Sequence, residues 1–389
     1  MSVALRRYRR ATIFAVQFVT AATPLAVVPF LSLQMEQLTR GSVAEASVWT
    51  AVAAAAPAAT AVASTPLWGR FARGRAMSLL LSSTCFLTAS SYVVMAVADG
   101  AATFAMGRAL QGAAGSGILL LLAVDRPNTR PGSGYVDLQQ AFSAGCLVGP
   151  VLGGWAFVHQ SFSALLCVAA AALFALAIAC ALFFETARFD LSQRCRGEID
   201  ISEPTTGRQL GRSRVLTVAA MFGTAGAFGF IPFFAEWSTT RDAVHFDASA
   251  VGMVHASAWL AAIIVLPIWS RIIDMAAATR SIALSLIGSS AACVALSIST
   301  TAHSIIAFRV AHGAFHSGLN PALYAGLRRS EEPDRELVSA RTGVTLGQIL
   351  GPALCGVVVS FVGADGALVT AAGLPAIGLL VLFTVRGDR

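Results

Sequence analysis

The sequence predicts an all-α membrane protein with twelve transmembrane helices in two pseudo-symmetric six-helix bundles. Three observations carry this expectation. Of 389 residues, 56% are hydrophobic and only 12% charged, with a mean hydropathy of +0.72; soluble domains carry about a quarter charged residues. Apolar runs long enough to cross a bilayer, which takes about 20 residues, recur along the whole chain. Several short motifs also recur in the same order, 201 to 203 residues apart.

Taken in order, the first six spans are expected at Ala11–Leu33, Val48–Trp68, Met77–Ala98, Thr103–Val124, Val136–Val158 and Ser161–Phe184. A stretch rich in Gly, Pro, Ser and charge follows, Glu185 to Arg214, and is the natural boundary between halves. The second six spans are expected at Val215–Phe234, Val251–Trp269, Ser281–Ser299, Ser304–Leu327, Val338–Val362 and Gly366–Val385. The division is therefore a bundle over residues 1–187, a linker over 188–214 and a second bundle over 215–389. The repeat is explicit in the residues. Pro66-Leu67-Trp68-Gly69-Arg70 returns as Pro267-Ile268-Trp269-Ser270-Arg271, Arg108 and Gly112 as Arg309 and Gly313, and Val28-Pro29-Phe30 as Ile231-Pro232-Phe233. Such duplication implies two bundles related by an axis along the membrane normal.

All 27 basic residues are arginine. The loops before spans one, three, five, seven, nine and eleven, with both ends, hold nearly all of them. The opposite loops hold only Arg40 and Arg241, and Arg108 and Arg309 lie at the membrane. That bias places both termini and the arginine-rich loops in the cytoplasm. It also explains the net charge of +7 without nucleic acid. Six of the seven cysteines fall in apolar spans, as packing residues rather than a disulfide frame. The arginine-rich start followed by a long apolar run reads as an uncleaved first span.

Between Asp137 and Glu185, with no charge intervening, lies Gly145-Cys146-Leu147-Val148-Gly149-Pro150-Val151-Leu152-Gly153-Gly154. Glycines at every fourth position leave one helix face bare, so a neighbouring helix can approach closely. Pro150 lacks an N–H and frees the carbonyl of Cys146, which predicts a kink. Gly347, Gly351, Pro352 and Gly356 repeat the pattern. The decamer resembles the helix-five motif of the drug–proton antiporter branch of the major facilitator superfamily. Pro66 to Arg75 resembles that family's loop between helices two and three, in which an aspartate and arginines latch the cytoplasmic gate. Here Arg73 stands where the aspartate belongs, while the second copy keeps an acid, Asp274. The resemblance therefore assigns the gate to Trp68, Gly69, Arg70, Arg73, Arg75, Arg271 and Asp274; the alternative is that these arginines only set topology. Arg108-Ala109-Leu110-Gln111-Gly112 resembles the helix-four motif, whose arginine the family ties to proton or substrate coupling.

An arginine inside a membrane marks a function by default. The alternative for Arg108, placed near the extracellular end of span four, is snorkelling to the interface or satisfaction by backbone carbonyls. Arg309, His312, His316, Asn320 and Tyr324, spaced 3, 4, 4 and 4, are expected on one face of span ten. Its two histidines could exchange protons or simply bridge helices as neutral rings. No acid or cysteine partner points to metal. The resemblance places a substrate cavity between the halves, with Gln17, Arg108, Gln111, Gln140, His255, Trp259, His312, His316, Asn320 and Gln348 as lining candidates. Proton coupling would fall to Arg108, His312, His316 or Glu236. Asp137 and Glu236 sit at span ends, so no mid-span acid balances these cations, which favours an anionic or zwitterionic substrate.

The resemblance thus implies an exporter of a small organic molecule, a drug, siderophore or other metabolite, by alternating access. It would be driven by the proton gradient, with no bound cofactor and as a monomer in lipid. No G-x-x-x-x-G-K-[ST] sequence provides for ATP. A facilitator or importer of the same fold, or a non-transporting membrane sensor, remains an alternative reading. An enzyme does not, since no nucleophile–base set stands out.

Overall fold

The computed structural model describes residues 3–40, 43–72, 75–115, 131–183, 207–239, 246–327 and 333–383. Every element among them is helical: α1 Val3–Val27, α2 Leu31–Leu38, α3 Val43–Ala72, α4 Met77–Ala96, α5 Ala101–Ala113, α6 Pro131–Val158, α7 Phe162–Phe183 and α8 Gly207–Gly229. The order continues with α9 Phe234–Thr239, α10 Ala248–Met275, α11 Ala278–Ser297, α12 Ala302–His316, α13 Leu319–Leu327, α14 Pro333–Val362 and α15 Asp365–Phe383. Ten helical segments among the described residues are long and apolar enough to cross a membrane. The chain is a multi-pass membrane protein.

Three expected spans differ from single helices. Span one begins at Val3 and breaks into a 3-10 turn at Val28–Phe30, and span seven breaks likewise at Ile231–Phe233. Pro29 and Pro232 have no N–H to continue the ladder, so the repeated Pro-Phe motif is a pair of helix breaks. Span ten, expected unbroken to Leu327, is two helices separated at Ser317 and Gly318. Pro321 again withholds a donor just after that break. Span four, expected to reach Val124, is described only to Gly115: α5 ends at Ala113, and Gly115 has φ +65°. By contrast α6 and α14 run on through Pro150 and Pro352.

The chain folds as two compact units. One combines Met1–Val27 with Ala59–Ser202, and the other Val28–Ala58 with Glu203–Arg389. The second unit therefore takes in a segment, Val28–Ala58, that lies inside the expected first bundle. Its helix α2 and the turn at Val28–Phe30 pack on α9 and the turn at Ile231–Phe233, within that unit.

Inside the first unit, α1 lies against α6 and α4 against α7. The bare glycine face meets backbone. A Cβ at Gly145 would sit 2.9 Å from the Ala21 Cβ, and one at Gly149 or Gly153 would overlap the carbonyl of Ala22 or Ala26. The second unit repeats this crossing between α8 and α14: Gly347 faces the Met221 carbonyl and Gly351 the Ala225 carbonyl. The pattern changes only at its end. The pair Ala26 and Gly153 becomes Gly229 and Cys355, where a Cβ at Gly229 would lie 2.8 Å from Cys355 Sγ. The bulk has moved from one helix to the other. Gly229→Ala should therefore cost about 1–3 kcal/mol by overpacking. Adding Cys355→Gly, which recreates the first unit's pair, should restore most of that loss. Thermal unfolding of the detergent-solubilised single and double variants checks it, and additive losses would refute it.

A second repeated device joins two helices in each unit. Trp68 Nε1–H donates to the Ala113 carbonyl at 2.7 Å, and Trp269 Nε1–H to the Ala314 carbonyl at 2.7 Å. Each indole lies over a glycine, Gly115 and Gly318 respectively, where a Cβ would run into the ring. Trp68 also closes a core with Val16, Leu80, Leu81 and Cys85.

Candidate functional site

Among the described residues, each unit holds one buried arginine. Arg108 and Arg309 are each 3% exposed. With Phe104, Ala105 and Gly107 buried beside it, Arg108 on α5 holds its guanidinium inside the unit. Arg108 Nη1–H donates to Gln111 Oε1, one turn on, and Gln111 Nε2–H donates to the Tyr92 hydroxyl at 2.7 Å. Tyr92 is fully buried on α4. Unit one thus surrounds its cation with a chain of neutral polar groups between α4 and α5. Tyr92 was not among the sequence candidates. Its pairing with Gln111 crosses helices, and no periodicity reports that.

Arg309 on α12 has a different neighbourhood. Its Nη1 bonds His312 Nδ1 at 2.7 Å, and its Nη2 bonds His255 Nδ1, from α10, at 3.0 Å. The guanidinium lies 5.0 Å from the Phe230 ring centroid. Phe230 also meets His312 edge-on at 5.4 Å, and Phe234 meets His255 at 4.7 Å. The rings of His312 and His316 stack in parallel at 5.9 Å. The expected stripe is therefore only partly continuous: Arg309, His312 and His316 share α12, whereas Asn320 and Tyr324 follow the break on α13. The shared face of Arg309, His312 and His316 was visible in the sequence spacing; the meeting of His255 with Arg309, 54 residues apart, was not.

The remaining candidates are dispersed. Gln17 on α1, Trp259 on α10 and Gln348 on α14 are half-buried, and the side chain of Gln140 lies outside the described residues. Glu236 is half-buried on α9, just past the helix break. Thr20 and Thr345 bond the carbonyls of Val16 and Arg341 in their own helices, at 2.7 and 2.9 Å. Of the gate residues, Trp68 is buried as a packing anchor, while Arg70, Arg75, Arg271 and Asp274 are exposed. Arg75 stacks on Phe71 at 4.1 Å. Arg271 and Asp274 have no ion-pair partner among the described residues. Arg73 lies outside the described residues.

Two units with repeated crossings and a buried cation in each make a polytopic membrane protein whose buried charges mark a candidate functional site. The profile of the Major Facilitator Superfamily matches residues 216–389. The Staphyloferrin B transporter of Staphylococcus aureus (strain NCTC 8325 / PS 47) is 27% identical over 311 residues, 78% of this chain and 74% of that protein. The multidrug resistance protein MdtG of Dickeya zeae (strain Ech586) is 29% identical over 141 residues, 36% of this chain and 35% of that protein. The crystal structure of a bacterial homolog of the human lysosomal transporter Spinster shares the fold with a TM-score of 0.81. It covers 100% of this chain and 98% of that one at 12% identity. The chain is thus similar to major facilitator superfamily proteins, by profile over residues 216–389 and by fold over its whole length.

Proposed function

We propose that this chain is a secondary active exporter of a small organic molecule of the siderophore or drug kind, working by alternating access and driven by proton entry. The observation that carries the reading is the buried cluster of Arg309 and His312 on α12 with His255 on α10, since a buried ionised group in a membrane protein is costly and functional by default. The two relatives, a staphyloferrin B transporter and a multidrug resistance protein, support the choice of substrate. The arginine bias supports an inner-membrane location with both termini in the cytoplasm. We take the working unit to be the monomer.

Proton coupling falls to the histidines of α12, with Glu236 as the next candidate. In inverted vesicles, an imposed pH gradient should drive accumulation of a siderophore by the wild-type chain and not by the His312→Gln/His316→Gln variant. Gradient-driven uptake left unchanged in that variant would move the coupling role to Glu236. Accumulation that ignores the gradient altogether would leave facilitated diffusion. The export reading itself is tested in whole cells loaded with substrate: cells carrying the protein should retain less than cells lacking it, and equal retention would sink it.

A further inference from the structure

Arg108 and Arg309 occupy corresponding places, 201 residues apart, and their surroundings have diverged. Applying the same offset, Gln111 corresponds to His312 and Tyr92 to Cys293. In the first unit the guanidinium leads through Gln111 to a tyrosine hydroxyl, a good acceptor and donor. In the second unit a thiol stands in the tyrosine's place, and a thiol is a weak partner. The chain of neutral groups that accommodates Arg108 has no counterpart at Arg309.

The histidines do not supply one. A guanidinium offers only N–H donors, so the Nδ1 atoms of His255 and His312 must both act as acceptors. Each ring then carries its hydrogen on Nε2. Both Nε2 atoms are buried without a partner, and so is Arg309 Nε. His255 and His312 are 1% and 3% exposed. His316 Nδ1 and Asn320 Oδ1, further along the same stretch, are buried and unpartnered as well. No described carboxylate pairs with Arg309. The cluster therefore combines one full positive charge with three N–H donors that have no acceptor. Each buried donor left unmade costs about 1–3 kcal/mol, and an uncompensated buried charge costs several more.

We propose that Arg309, with His255 and His312, is the receptor for a carboxylate of the transported molecule. This rests on reading the chain as an exporter of a small organic molecule. The free Nε–H of Arg309 lies on the edge of the guanidinium that can present two parallel N–H groups to one planar oxyanion, which a carboxylate matches. Phe230 and Phe234 lay apolar rings against the cluster, whose members are 1–3% exposed, so the charge is little screened. A lipophilic cation would meet like charge there and is excluded. Arg108, engaged by Gln111, is a positioning residue of the α4–α5 pair and not the anion receptor.

The test is ligand binding to the purified full chain in nanodiscs at constant ionic strength, followed by calorimetry and by thermal stabilisation. The probes are citrate, chloride and tetraphenylphosphonium. Citrate should bind and stabilise the wild-type chain, and the other two should not. Arg309→Gln should weaken citrate binding about tenfold to a hundredfold, as loss of a charge-assisted contact does. Arg309→Lys keeps the charge without the fork and should fall between, which keeps the test informative if the Gln variant does not fold. Arg280→Gln, which removes an exposed charge elsewhere in the same unit, should bind as wild type. Four results would overturn the assignment: stabilisation by chloride equal to that by citrate, binding of tetraphenylphosphonium alone, citrate binding undiminished in both Arg309 variants, or citrate binding lost in Arg108→Gln but kept in Arg309→Gln. Citrate binding that persists while cells fail to export would count against the export reading alone. Export that persists without Arg309-dependent citrate binding would count against the receptor alone.

Discussion

Gly149→Leu should abolish transport, and Gly149→Ala should already destabilise the first unit. The atom that a Cβ at Gly149 meets is the carbonyl oxygen of Ala22, part of the α1 backbone, with the Ala26 nitrogen 3.1 Å away. A flexible side chain could rotate aside; a helix backbone can yield only by moving the helix. Overpacking of about 1–3 kcal/mol is typical, and a rigid contact belongs at the upper end. It outweighs the roughly 0.5–1 kcal/mol that Ala gains over Gly in a helix. Gly351→Ala should behave alike, because its Cβ would meet the Ala225 carbonyl in the same way. Gly373→Ala is the contrast. It lies inside α15 with nothing within 4 Å of a Cβ, so it should be neutral or slightly stabilising. Thermal unfolding of the three alanine variants, with transport by Gly149→Leu, checks the argument. Equal unfolding temperatures for Gly149→Ala and Gly373→Ala would refute it.

These glycines also mark where sequence reasoning stops. The four-residue spacing showed a bare face, because helical period alone settles which side chains share a side. It could not say that the facing surface is α1, since the partner of a face is a tertiary fact. The repeat was legible for the same reason that both copies obey one geometry: Trp68 and Trp269 bond carbonyls 45 residues further on in each half. The breaks in spans one, seven and ten were harder to read. Prolines at positions 29, 232 and 321 were visible, yet Pro150 and Pro352 sit within unbroken helices. Only packing decides which proline ends a helix. Arg108 and Arg309 were both recognisable as intramembrane charges. Their different fates depend on Tyr92 and His255, residues contributed by other helices.

The other large effect is expected at Trp269. Its indole is 2% exposed and bonds the Ala314 carbonyl at 2.7 Å, so it ties α10 to the last turn of α12. Its ring also occupies the space over Gly318, at the break between α12 and α13. Two separable contributions follow. Trp269→Phe keeps much of the ring and removes the donor, leaving the Ala314 carbonyl with one partner fewer, at a cost of about 1–3 kcal/mol. Trp269→Ala removes the ring as well and should cost about 3–5 kcal/mol. Because the ring backs the break that follows Arg309, His312 and His316, the alanine variant should also lose transport. Trp68→Ala should show a comparable stability loss in the first unit, where the same bond reaches the Ala113 carbonyl at 2.7 Å. Unfolding measurements on the Phe and Ala variants of both residues separate the two contributions. If Trp269→Phe proves as damaging as Trp269→Ala, the hydrogen bond rather than the ring holds the break. If neither variant moves the unfolding temperature, the indole bridge is no part of what holds α10 to α12.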